Sequence, residues 1–272
     1  MSIHPTAQID PGARIGSGVT IGPLAVLDRD VELGDGCVLG PRVTILRHTR
    51  LGPGCRVHAG AVLGDVPQDL AFRDVPSFVE IGGGSTIREG VTIHRGTKAG
   101  TVTRTGENCF LMANSHLAHN VQLGNRVTLA NGVLLAGYVE VGDGVFMGGN
   151  AAVHQFCRVG RLAMVGGLCA VSKDVPPFCM MASGGYNRVV GLNAVGMRRA
   201  GISSEDRLAA RRAFHRIFLE GASLRDAAQA VGREMPSGPG HELAEFILSS
   251  KRGVCAHRSR DSHADEADDQ SA

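Results

Sequence analysis

Bulky rings are nearly missing from this sequence: tryptophan is absent, and aromatic residues make up only 4% of its 272 positions. An ordinary α/β enzyme core uses more of them, so the interior here is built to exclude rings. Net charge is also missing. The 28 basic and 26 acidic residues leave +2, which gives no global signal for nucleic acid or an anionic membrane. No window approaches the roughly 18 uninterrupted apolar residues of a membrane span. The start, MSIHPTAQID, lacks a basic stretch followed by an apolar core, so a cytoplasmic protein without a transmembrane segment is expected. Seven cysteines without a secretory signal predict free thiols rather than a disulfide framework. No pair shows C-x-x-C spacing, and neither a metal nor a cofactor is expected.

What is abundant is glycine, with 38 residues, and a period of six. Every sixth residue from Ile3 through Ile9, Ile15, Ile21 and onward to Val171 falls on 29 positions, and 26 of these are Ile, Leu, Val or Met. A hydrophobic content of 43% predicts about 12 by chance. Only Asp69, Ala99 and Thr105 miss. Four residues after each aliphatic comes a small or β-branched residue, as at Ala7, Ala13, Val19 and Val121, and glycine commonly follows the aliphatic itself. Six residues fit neither a 3.6-residue helix nor an alternating strand. They fit one flat side of a triangular coil with a turn at each corner, three sides making a coil of about 18 residues. Cys37, Cys55, Cys109, Cys157 and Cys169 fall on the small inward position and are read as core filler.

The predicted fold is therefore an all-β left-handed parallel β-helix of about ten coils over residues 1–182. Leu63 to Ile81 and Ile93 to Leu111 each span the length of one coil, so loops at about 65–78 and 97–104 are expected to leave the wall and return in phase. After Asp174-Val175-Pro176-Pro177 the register stops, and helical spacing with capping-type starts at Ser203 and Ser223 predicts a helical C-terminal domain over 183–252. The polar, aperiodic stretch 253–272 is expected to be a disordered tail.

Residues one coil apart stack at roughly 4.8 Å, so His119 should lie beside Gly137 and Asn120 beside Tyr138, with His154 and Gln155 one coil further. A histidine beside a glycine suits acyl transfer. The imidazole takes a proton from a hydroxyl nucleophile, and the unobstructed glycine N–H approaches a developing oxyanion. For a single histidine the plainer alternative is a solvated side chain on a coil face.

The segments GDVPQDL (64–70), IREGVTIHRGT (87–97), SHLAHN (115–120), AVHQFCRVG (152–160), MVGG (164–167) and DVPPF (174–178) resemble the acyl-carrier-protein-dependent UDP-N-acetylglucosamine O-acyltransferases that begin lipid A synthesis. The resemblance covers the chain to about residue 250. It implies a homotrimer with sites in clefts between prisms, a 3-hydroxyacyl thioester on acyl carrier protein as donor, and a UDP-sugar as acceptor. His119 takes the position of the general base and Gly137 that of the oxyanion donor. Asp69, His116, His154 and Gln155 match sugar-nucleotide contacts, and Asn193 and Arg199 match contacts to nucleotide and phosphates. Gly167 falls where the family measures acyl length. Arg198 and Arg199, with Arg207, Arg211, Arg212 and Arg216, make a candidate basic face for an acidic carrier protein, although arginines on a helix are commonly just a solvated face.

Four positions depart from the family pattern. Asn120 replaces an aspartate, Ala71 a lysine, Tyr138 a histidine and Ala200 an arginine. An amide still orients an imidazole but stabilises its cation less than a carboxylate does, and the lost cations weaken recognition of an anionic substrate. Arg73 stands two residues beyond Ala71 as a substitute. These departures leave the acceptor open between the 3-hydroxyl sugar and its 3-amino analogue. The alternatives are the related N-acyltransferase of the same pathway, a non-catalytic paralogue binding nucleotide sugar or carrier protein, and a γ-type carbonic anhydrase using His94, His116 and His119.

Overall fold

The computed structural model describes residues 1–257. Among the described residues, short strands of mostly two to four residues coil into three sheets that are the three walls of a left-handed triangular prism, parallel except for the antiparallel pair Cys179–Met181 and Arg188–Leu192. The register aliphatics point inward, and from Ile21 to Val171 they are almost all buried. All seven cysteines are free and buried. Cys255 has its thiol pushed up to about 12, first by burial.

The corners explain why the period tolerates so many residue types. At nearly every sixth position the backbone enters the left-handed region, and glycine shares that row with asparagine and larger residues such as Tyr138 (φ 59°) and Phe156 (φ 64°). The glycine that follows an aliphatic answers a different need. A Cβ on Gly106 would stand 2.5 Å from the carbonyl carbon of Gly124 in the next coil, so only glycine lets the walls stack there.

The two loops are where the structure departs from the expected register. Val57 pairs with Ile87 rather than Val75, and Ile87 pairs with Leu111. Residues 66–77 and 96–101 thus lie outside the strands, and each excursion inserts extra hexapeptides between walls instead of spanning one coil. Val75, although in register, is a loop residue whose carbonyl accepts from Arg95. Asp69 and Ala99 miss the pattern because they stand exposed in those loops, whereas Thr105 is a wall residue, buried opposite Ile81.

The first loop is pinned from beneath. Arg95, only 2% exposed, donates to Asp74 at 2.5 Å and to the Val75 carbonyl at 2.9 Å, with its guanidinium 5.3 Å from the Phe72 ring. Arg47 is also paired with Asp74. These cations hold the Asp74 carboxyl below the usual range, Arg95 contributing most.

Among the described residues four helices follow the prism: α1 (Ala194–Arg199), α2 (Ser204–Leu219), α3 (Leu224–Glu234) and α4 (Gly238–Leu248). Ser203 and Ser223 cap α2 and α3, accepting from the backbone N–H of Asp206 and Asp226. The buried Asp174 latches this bundle to the prism, taking hydrogen bonds from Arg158 and from the Ser250 hydroxyl. Arg158 also stacks 4.4 Å from the Phe246 ring, and Arg161 pairs with Glu242 at 2.7 Å.

Residues 253–257, expected in the tail, belong to the folded body. The Gly253 carbonyl accepts from Asp174, Cys255 is buried, and Ala256–His257 pair in parallel with Arg188–Val189 at a sheet edge. Backbone pairing needs no apolar periodicity, and a strand of only two residues beside the charged stretch that follows shows none. The remaining tail residues lie outside the described residues.

Candidate active site

One wall and the corner after it carry the chemistry. His116 lies on a strand between Thr92 and Leu134, and three residues on, at the corner, His119 projects outward. It stands over the next coil: a Cβ on Gly137 would lie 2.3 Å from His119 Cε1 and 2.6 Å from Nε2. The backbone N–H of Gly137 has no acceptor among the described residues. His116, His119, Gly137, His154 and Gln155 border one open groove of about 830 Å³, together with Gln68 from the pinned loop.

His119 is held by its neighbour. Asn120, only 8% exposed, places Oδ1 3.1 Å from His119 Nδ1. The same oxygen accepts from the Thr97 backbone N–H and from the Thr97 hydroxyl, both at 3.1 Å. Thr97 Oγ1 is in turn 3.0 Å from the Tyr138 hydroxyl. The Tyr138 ring stands edge-on to His119 at 5.3 Å and is stacked on Phe156 at 5.0 Å.

His116 and His94 form a second, drier pair with rings 4.7 Å apart. Burial, then the neighbouring His94, holds His116 down to about 4, so it is neutral near pH 7. Its Nδ1 is 2.7 Å from the Thr92 hydroxyl, leaving Nε2 as its other ring nitrogen. Burial also lowers His94, whose Nδ1 has no partner among the described residues.

The remaining candidates stand apart from this groove in the single chain. Asp69 is exposed in the loop, its carboxylate accepting from the Ala71 N–H, and it is the adjacent Gln68 that borders the groove. Gly167 sits at the corner before Ala170 and faces the Gly149 backbone, where a Cβ would stand 3.2 Å from the carbonyl oxygen. Asn193 caps α1 through Oδ1, while its amide donates to the Leu162 carbonyl. Arg198 and Arg199 are exposed in the last turn of α1. Thr97, which the IHRGT segment contains, and nearby Arg95, whose buried guanidinium shapes the loop, are site residues that were not among the sequence candidates. Nor were Tyr186 and Ser172, which close one end of the groove.

A triangular prism of hexapeptide coils, with a corner histidine facing an open groove, defines a hexapeptide-repeat transferase. Comparison with known proteins agrees and is narrower. The family model described as UDP-N-acetylglucosamine O-acyltransferase, domain 2, matches residues 174–255, and the bacterial transferase hexapeptide model matches 30–65 and 103–137. An acyl-[acyl-carrier-protein]–UDP-N-acetylglucosamine O-acyltransferase from Anaeromyxobacter sp. (strain Fw109-5) is 45% identical over 258 residues, covering 93% of this chain and 99% of its own. The solved UDP-N-acetylglucosamine acyltransferase from Campylobacter jejuni superposes with a TM-score of 0.89 at 37% identity, covering 94% of this chain and all of that one. The Francisella novicida enzyme gives 0.90 at 31% identity, with 97% of each chain covered. This chain belongs to the acyl-[acyl-carrier-protein]–UDP-N-acetylglucosamine O-acyltransferase family.

Proposed function

We propose that this protein transfers a 3-hydroxyacyl group from acyl carrier protein to the 3-hydroxyl of UDP-N-acetylglucosamine, in lipid A biosynthesis, with His119 as general base. The observation that carries the mechanism is the placement of the His119 imidazole over Gly137 beside an open groove. Nε2 accepts the sugar hydroxyl proton as the oxygen attacks the thioester carbonyl. The Gly137 N–H, without an internal acceptor, donates to the oxyanion that forms. Collapse breaks the C–S bond, and the imidazolium returns its proton to the departing thiolate.

Asp69, His116, His154 and Gln155 are assigned to the sugar nucleotide. Three of these border the groove, and Asp69 adjoins Gln68, which also does. Asn193 and Arg199 are assigned to the nucleotide and its phosphates, and Arg198 with Arg199 to the basic face that meets the acidic carrier protein. Because they lie outside the groove of one chain, this assignment requires the site to be completed by a neighbouring copy, in a homotrimer. Gly167 sets acyl length, and the absence of a side chain there favours a longer chain. No helix among the described residues is long and apolar enough to cross a membrane, and a cytoplasmic location is part of the proposal.

One assay tests this reading. Several 3-hydroxyacyl carrier proteins are crossed with UDP-N-acetylglucosamine and its 3-amino analogue, in the native protein and in His119→Ala. Acylated product that disappears in the variant supports it. Binding of the nucleotide without turnover of any donor would show a non-catalytic paralogue, and product confined to the amine would redirect the assignment to N-acyl transfer.

A further inference from the structure

We propose that Thr97 and Tyr138 are positioning residues that fix the tautomer and orientation of His119 through Asn120. The inference deepens the general-base reading and rests on it.

One group in this network can only donate. The Thr97 backbone N–H points at Asn120 at 3.1 Å, so the atom it meets is the amide oxygen and not the amide nitrogen. That oxygen cannot donate. His119 Nδ1, 3.1 Å from it, must therefore carry the proton, and in the neutral imidazole Nε2 is left with its lone pair free. Nε2 is one of the two ring atoms closest to the Gly137 Cβ position, so the basic nitrogen lies beside the corner glycine.

The Thr97 hydroxyl repeats the constraint. Placed 3.1 Å from Asn120 Oδ1, it donates there, because two lone pairs would otherwise face each other. Having spent its only proton, Oγ1 accepts from the Tyr138 hydroxyl at 3.0 Å. The chain runs in one direction: phenol to Thr97, Thr97 to Asn120, and His119 to the same amide oxygen. Stacking on Phe156 holds the phenol in place.

This network gives a physical account of two departures from the family pattern. A carboxylate at 120 would accept from His119 whichever oxygen faced it. An amide offers one acceptor and one donor and can present the wrong end. The Thr97 loop removes that ambiguity, and Tyr138 polarises the Thr97 hydroxyl that helps to do so.

The test uses the full-length enzyme. Thr97→Val keeps the branched shape and the backbone N–H but removes the hydroxyl, Tyr138→Phe keeps the stacked ring, and Thr97→Ser serves as rescue. Each variant is followed by steady-state kinetics and by the 15N shifts of the His119 ring without substrate. Loss of one neutral hydrogen bond predicts a fall of about fivefold in kcat for Thr97→Val with KM unchanged, and recovery in Thr97→Ser. Because the Tyr138 hydroxyl, the group that Tyr138→Phe removes, acts only through the Thr97 hydroxyl, adding Tyr138→Phe to Thr97→Val should cost nothing further. The native enzyme should show Nδ1 protonated; Thr97→Val, left with the backbone N–H alone to orient Asn120, should move Nε2 part of the way toward the average of the two tautomers, and Tyr138→Phe, which keeps both Thr97 donors, by less.

Losses that multiply in the double variant, or His119 shifts unchanged in both single variants, would overturn the proposal. If His119→Ala is inactive while Thr97→Val matches the native kcat, the positioning inference alone fails. Full turnover by His119→Ala would instead remove the general-base reading beneath it.

Discussion

The His119 ring fills the space where a side chain on Gly137 would begin, so that a Cβ there would fall 2.3 Å from Cε1. Histidine and glycine at this corner are a single fitted unit. Gly137→Ala should displace the ring without unfolding the prism, since alanine stands at the equivalent corner positions 59 and 113. Displacement by about an ångström predicts a fall in kcat on the order of a hundredfold. Kinetics, with circular dichroism to confirm the fold, measures it; a variant of native activity would mean that His119 works from another rotamer.

Asn120→Asp should leave the Thr97 contacts available and add a negative charge beside the imidazole. A carboxylate favours the imidazolium, so the base would become protonated at a higher pH. The acidic limb of kcat/KM should therefore move upward in pH relative to the native enzyme. A limb that stays or moves downward would show that residue 120 does not report to the base.

Acid should weaken the fold through the buried histidines. The unfolded chain takes up a proton at each histidine near pH 6.5, whereas His116 in the folded protein does so only at about 4. Between those values unfolding binds a proton, so stability is complete above about 6.5 and is progressively lost as the pH falls toward 4. His94 is shifted in the same direction. Thermal melts from pH 7 to pH 4.5 should show a falling Tm, with a shallower slope in His116→Asn. An equal slope in that variant would place the acid sensitivity elsewhere.

Arg95→Met should untie the 66–77 loop. The variant loses the buried donor to Asp74 and Val75 but leaves Asp74 exposed and still paired with Arg47, so the cost should be about 1–3 kcal/mol rather than that of a stranded buried charge. Gln68 and Asp69 ride on that loop, so KM for the nucleotide sugar should rise more than kcat falls. Proteolysis should also begin within 66–77. A variant whose KM is native would separate loop order from substrate binding.

The wall was readable because each inward position is chosen by burial, and a six-residue rhythm survives any exchange among Ile, Leu and Val. The loops were only half readable. Phase shows where the rhythm resumes but not on which wall, and Val75 kept the rhythm while lying outside it. His119 over Gly137 followed from stacking alone. The contact from Thr97 to Asn120 and Tyr138 did not, because it joins a loop to two successive corners and leaves no periodic trace. The pairing of Ala256–His257 was hidden for a related reason, being made by backbone atoms in a strand too short to show a period.

That last pairing sets an order of assembly. Coils of a prism can settle one on another as the chain is synthesised, each needing only the coil before it. The sheet edge formed by Arg188–Leu192 has no such freedom, because its neighbouring strand lies beyond four helices. Until residue 257 has left the ribosome, that edge presents unpaired N–H and C=O groups, an invitation to strands of other nascent chains. A message truncated just before Cys255 should thus yield a nearly complete prism that is prone to aggregate.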